Sequence, residues 1–139
     1  MADRVAYSQP QVGNQGFART MKTLGGALAL VATDPVATNT VQVMKVPKGF
    51  VVTGVYLALT DIDTNGSPTV TVTLGDAADD DRFVASSTIG QAGGSTTTLA
   101  ATGLYYEFTA DTDIAVKFPV GSATAVAGTV TAYLTGFMK

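Results

Sequence analysis

Two stretches hold the residue types from which a chemical site could be built. The first is DIDTNGSP, residues 61 to 68, in which Asp61, Asp63 and Asn65 alternate and Gly66 follows. Alternating side-chain oxygens with a glycine after them open a calcium loop of the EF-hand type. That chemistry also needs a bidentate carboxylate at the twelfth position. Counted from Asp61, the twelfth residue is Val72. The same letters describe a turn, because Asn-Gly between two apolar runs is a strong hairpin signal. The flanking runs are VYLALT and TVTVTL. The sequence therefore predicts a hairpin tip. A cation would need oxygen ligands from another strand or subunit.

The second stretch is GDAADDDRF, residues 75 to 83, with Asp76, Asp79, Asp80 and Asp81. Carboxylates this close repel one another unless water or a cation surrounds them. Arg82 neutralises part of the charge, so a solvated loop is expected ahead of a divalent-cation site. A glycosidase carboxylate pair is the weakest reading, since there is no Trp to form a sugar platform. Histidine and cysteine are both absent. That excludes Ser-His-Asp and Cys-His nucleophilic sites, His-ligated zinc and thiolate metal sites. The expectation is a protein that is not an enzyme and uses no cofactor or metal. In LYYEF, residues 104 to 108, Tyr105 and Glu107 alternate with Leu104, Tyr106 and Phe108. This reads as a strand with an aromatic face inward and Tyr105 free for a contact.

The elements around these stretches are strands. At 139 residues the chain is long enough for one domain with its own core. TVTVTL and DIAVKF alternate apolar and polar residues, the period of half-buried antiparallel strands. In FVVTGVYLALT both faces are largely apolar, which predicts a strand covered on both sides. TVQVMKV alternates and then breaks near Met44. Turn signals separate the runs. The predicted strands are 27–33, 38–46, 50–60, 69–75, 82–87, 103–110, 112–118 and 124–137. No helical period stands out. The fold class expected is all-β, a jelly-roll-like antiparallel β-sandwich with an extended N-terminal arm.

Residues 1–23 form that arm and residues 24–139 the sandwich. The arm is rich in Gln and Gly and lacks a sustained period. Tyr7, Val12, Phe17 and Arg19 are its expected contacts with a partner surface such as a neighbouring subunit; a frayed terminus is the other reading. Arg19 and Lys22 ahead of LGGALALVAT faintly match a signal peptide. The long polar stretch before them and Asp3 favour a buried strand instead. The run is also shorter than the ~18 apolar residues of a membrane span. Net charge is −3 with 14% charged residues, which offers no basic patch for nucleic acid.

VPKGFVVTGVYLALT, then a turn, then TVTVTLGDAADDDRFV resembles small virion proteins of tailed bacteriophages, specifically head decoration (cement) proteins. The resemblance covers roughly residues 40 to 90. It implies an arm preceding a β-sandwich, a Pro-x-Gly turn before a long strand, and a Gly-Asp loop leading to Asp-Arg-Phe. It further implies a structural protein on the capsid exterior that clamps neighbouring major capsid proteins, often as a homotrimer. No catalytic residue comes with it. The alternative is a β-sandwich receptor- or glycan-binding module of a phage fibre or tail. Tyr7, Tyr56, Tyr105, Tyr106 and Tyr133 are the tyrosines from which its platform would be built.

Overall fold

The computed structural model describes residues 21–139. The expected contacts Tyr7, Val12, Phe17 and Arg19 lie outside the described residues. Eight strands follow in chain order: β1 (Lys22–Leu30), β2 (Thr40–Val46), β3 (Phe50–Leu59), β4 (Thr71–Gly75), β5 (Val84–Ser87), β6 (Gly94–Thr96), β7 (Thr112–Val120) and β8 (Gly128–Met138). They form two antiparallel four-stranded sheets, ordered β1-β8-β3-β6 and β2-β7-β4-β5. Successive strands mostly cross between the sheets, and the first and last strands pair. This is the jelly roll, two interleaved Greek keys, as the sequence predicts.

Period two sets which side chains fill the space between the sheets. Ile114, Val116 and Phe118 of β7 are fully buried, as are Val130, Ala132 and Leu134 of β8. Phe50, Phe83 and Phe108 join Phe118 among the largest buried side chains. Burying each phenyl ring contributes roughly 1.5–3 kcal/mol, so truncating one to Ala removes several methylene equivalents and leaves a cavity.

Several expectations are corrected. β3 is covered on both faces only at its start, where Phe50, Val51 and Val52 are all buried, and not along the rest, where Tyr56 is exposed. Its pairing with β8 shifts register between Val52 and Gly54. The bulge reverses parity, so Phe50 and Val52 point inward before it, and Val55, Leu57 and Leu59 after it. One inward face with a phase change therefore reads, in sequence, as two apolar faces. The break near Met44 has the same cause, a register shift between Gln42 and Met44. β1 begins at Lys22 rather than 27, inside the stretch assigned to the arm, and it is a sheet edge with only Leu30 buried.

Residues 103–110 are not a regular strand. They form turns followed by an isolated bridge between Glu107 and Val51. The eighth strand is the short β6, which pairs Thr96 with Leu57 and Gly94 with Leu59. The 104–108 segment still lies along the first half of β3: Phe108 N–H donates to Phe50 O at 3.0 Å and Val52 N–H to Tyr106 O at 3.0 Å.

Candidate functional site

The two Asp-rich stretches occupy opposite ends of the sandwich. DIDTNGSP belongs to the loop from β3 to β4, and those strands lie in different sheets. It is therefore a crossover between sheets, not the hairpin tip that Asn65-Gly66 suggests. The alternation of side-chain oxygens encodes consecutive Asx turns. Asp63 N–H donates to Asp61 Oδ1 at 3.0 Å, Asn65 N–H to Asp63 Oδ1 at 3.3 Å and Ser67 N–H to Asn65 Oδ1 at 2.8 Å. Each oxygen that a calcium reading would assign to the ion caps a backbone N–H two residues on.

Asp63 has the largest structural role. It is 1% exposed. Its Oδ2 accepts from the N–H groups of Thr69 (2.8 Å), Val70 (3.2 Å) and Ala123 (2.9 Å). Its Oδ1 accepts from Thr124 at 2.9 Å as well as from Asn65. Ala123 and Thr124 lie in the β7–β8 loop, the other crossover at this end. One carboxylate thus ties together two loops that each join the two sheets. Burial pushes its pKa up, but the N–H groups of Thr124, Ala123, Thr69 and Val70 outweigh it. Together they hold the carboxyl well below the usual carboxylate range. Sequence reasoning had the signal, an Asp-x-Asp-x-Asn-x-Ser ladder, but not the distant donors.

At the other end, GDAADDDRF folds around a second carboxylate. Asp76 is 7% exposed and accepts at Oδ1 from Ala78 N–H (3.0 Å) and Asp79 N–H (2.9 Å). Its Oδ2 accepts from Arg82 Nε at 2.8 Å. The loop passes so close to β4 that a Cβ on Gly75 would collide with Asp79 O and stand 2.5 Å from Asp80 C. The Arg82 guanidinium lies 4.0 Å from the centroid of the Tyr106 ring, which meets Phe108 edge-on at 5.1 Å. Burial disfavours the charged guanidinium, yet the hydrogen bond and charge of Asp76 more than restore it and raise its pKa. Arg82 is therefore a half-buried strut between the β4–β5 loop and the 104–108 segment, more than the neutralising charge expected for it.

The remaining carboxylates stay near solvent. Asp79, Asp80 and Asp81 bring one oxygen each within 4.8 Å of one another. The Asp81 carboxyl is held above the ordinary value by its hydrogen bond with Asp79, then by desolvation and by the charges of Asp79 and Asp80. Asp80 accepts from Lys117 Nζ at 2.7 Å. A recess of about 440 Å³ lies beside them, on the outer side of β2, β7 and β4, with Asp111 and Asp113 on its rim. These groups make turns and exposed ion pairs, and their arrangement supplies no nucleophile poised beside a base.

The aromatic side chains divide in two. Phe83, Tyr106 and Phe108 pack together inside. Tyr56 and Tyr133 lie side by side on the outer face of the β1-β8-β3-β6 sheet, with ring centroids 6.2 Å apart. Tyr105 is 68% exposed.

No protein-family model matches the chain, and no curated protein sequence does. Solved structures do. A chain of the cyanophage Pam1 capsid asymmetric unit is 31% identical over 99% of both chains, with a TM-score of 0.78. A chain from the capsid of Ralstonia phage GP4 is 23% identical over 98% of this chain and 92% of its own, with a TM-score of 0.74. A third, from the acid-stable capsid of Helicobacter pylori bacteriophage KHP30, is 13% identical over 85% of this chain and 87% of its own, with a TM-score of 0.57. The last two share the fold. With identity along nearly its whole length to the first, the chain belongs to the same family of phage capsid-associated structural proteins as that chain of the cyanophage Pam1 capsid.

Proposed function

We propose that the protein is a decoration, or cement, protein: it binds the capsid exterior and stabilises contacts between major capsid proteins. The observation that carries this reading is how the polar chemistry is used. The two best-buried carboxylates, Asp63 and Asp76, are both consumed in fixing loops. What remains is a stiff sandwich joined, at β1, to the residues preceding it. Stiffness suits a part that acts by sitting across joints in a shell, where many modest contacts sum over a lattice. The chain ahead of β1 (residues 1–23 as read from sequence) supplies Tyr7, Val12, Phe17 and Arg19 as contacts with the capsid or with a neighbouring copy. Assembly is as a homotrimer. No catalysis, cofactor, nucleic acid or membrane enters this role.

The test is to mix the purified protein with heads of its phage that lack it. Co-sedimentation and mass measurement then give copies bound per head and the oligomeric state of the free protein. Saturable binding with a head that resists heat or chelation better than before is the expected result. A protein that leaves heads unbound refutes the reading.

One observation favours a second reading, a receptor- or glycan-binding module of a fibre or tail. The Tyr56–Tyr133 pair on the outer sheet face is an aromatic platform of the kind that sugars stack on. Binding of glycans that is lost in Tyr56→Ala and Tyr133→Ala, with no attachment to heads, would select it.

A further inference from the structure

Asn65-Gly66 reads from sequence as a hairpin tip, but it sits in a crossover, where it puts an electrophile beside a nucleophile. It is the one Asn-Gly pair in the chain. Asn65, Gly66 and Ser67 are all exposed and form a bend outside any strand. Among the described residues no acceptor takes the Gly66 N–H. A Cβ on Gly66 would meet nothing within 4 Å, so no neighbour crowds it from that side. The Asn65 carboxamide is held at both ends. Its Oδ1 accepts from Ser67 N–H at 2.8 Å, and its Nδ2 donates to Thr124 Oγ1 at 2.9 Å. The Ser67 N–H thus addresses the oxygen on which negative charge develops when a nucleophile adds to Cγ. The next nitrogen in the chain is that of Gly66, which carries no side chain to hinder its approach.

We propose that Asn65-Gly66 is a self-modifying site, at which the folded protein converts Asn65 to aspartate and isoaspartate. The Gly66 nitrogen gives its proton to solvent and adds to Asn65 Cγ. The N–Cγ bond forms, the Cγ–Nδ2 bond breaks, and the departing nitrogen takes a proton from water and leaves as ammonia. Water then opens the cyclic imide at either carbonyl. The balance is one water consumed and one ammonia released, with nothing oxidised or reduced. The reaction needs no partner, so it stands apart from the decoration reading. Its consequence falls on Asp63. Asn65 N–H donates to Asp63 Oδ1 at 3.3 Å, so the new charge arises beside the carboxylate that ties two crossovers together. The isoaspartyl product also inserts a Cβ into the main chain between Asp63 and its donors Thr69 and Val70. Like-charge repulsion and a lengthened chain both loosen the clasp. Asn39 supplies the contrast. Its Nδ2 donates to Thr33 O and Asp34 O, both at 3.3 Å, and the next nitrogen belongs to Thr40, a β-branched residue in β2.

The experiment ages the full chain and its Gly66→Ala variant in mildly alkaline buffer, well below the melting midpoint, and maps the peptides by chromatography and mass spectrometry. The peptide holding Asn65 should gain the mass that exchanges NH2 for OH and split into two products. Its rate should climb with pH and exceed that at Asn39 by about tenfold or more, a modest difference in barrier. Gly66→Ala has open space for its methyl group and should melt as fresh wild type does. Its conversion should be slower by about tenfold, because a Cβ hinders the attacking nitrogen. Aged wild type should melt below fresh wild type, and aged Gly66→Ala should not. An Asn65 that stays intact, or that converts no faster than Asn39, overturns the site. Equal rates in Gly66→Ala and wild type, with aspartate as the sole product, would mean direct attack by water and overturn Gly66 as the nucleophile. Conversion that leaves the midpoint unmoved overturns the link to the clasp.

Discussion

Removing the carboxylate of Asp63 should be the most damaging single polar change in the molecule. In Asp63→Ala, five N–H groups lose their acceptor. Hydrogen bonds to a charged acceptor contribute about 1.5–3 kcal/mol each, but a plain sum overstates the loss because exposed donors turn to water. Asn65, Thr69, Ala123 and Thr124 sit near solvent and can do so in part, whereas the Val70 N–H is buried and cannot. Counting one stranded donor and the partial loss of the other bonds gives roughly 2–4 kcal/mol. That is a large share of the ~5–15 kcal/mol that holds a domain together. Asp63→Asn keeps one acceptor oxygen and should lose about half as much.

The pH dependence separates this account from mere cavity formation. The carboxyl is held below its unfolded value of about 3.9. A depressed folded pKa stabilises the native state fully above the unfolded value, and that stabilisation drains away as pH falls toward the folded one. Urea unfolding at a series of pH values should show a constant gap between wild type and Asp63→Asn from pH 7 to about 5. The gap should narrow steadily below about 4. A variant as stable as wild type, or a gap that stays the same down to pH 2, would refute the clasp.

Three other outcomes follow from the same geometry. Arg82→Lys keeps the charge but loses the planar guanidinium that bonds Asp76 and covers Tyr106, and should lower stability by about 1–3 kcal/mol in urea titrations. The Thr73 hydroxyl is buried without a hydrogen-bond partner, so Thr73→Val should raise the thermal midpoint, by about 1 kcal/mol in stability. Millimolar calcium should leave that midpoint unchanged, since the oxygens of the 61–67 ladder already serve backbone N–H groups; a rise of several degrees would show a bound ion.

What the sequence disclosed was whatever local period controls. The alternation of DIAVKF and GTVTAYLTGF survives in β7 and β8. What it hid was decided by pairing over distance. Asn65-Gly66 looks like a hairpin because the signal is four residues wide, while the sheet that each flanking strand joins depends on β7 and β8, some fifty residues away. The bulge at Val52/Gly54 makes one face look like two, because period-two reading assumes an unbroken register. β6 escaped notice because Gly94, Ser95 and Thr96 offer no apolar residue to count. Tyr105 escaped in its own way: its φ is 57°, and nothing in its type announces a left-handed backbone.

The two ends of the sandwich are built for different tasks. At one end, Asp63 draws the β3–β4 and β7–β8 crossovers together, and Ser122 N–H adds the β1–β2 loop by donating to Pro35 O at 2.9 Å. Three connections between the sheets are thereby locked, and shear of one sheet over the other is resisted there. At the other end the strut of Asp76, Arg82 and Tyr106 fixes a loop whose tip, Leu104 and Tyr105, is apolar and exposed. A clasp that prevents shear is what allows a strained tip at the far end to hold its shape, because strain relaxes wherever the scaffold yields. The two ends should therefore be coupled. Loosening the Asp63 clasp should blunt the Leu104–Tyr105 tip, so Asp63→Asn protein, even at temperatures where it stays folded, should exchange the Tyr105 amide hydrogen faster than wild type does. Equal exchange at that amide would mean that the strut alone supports the tip.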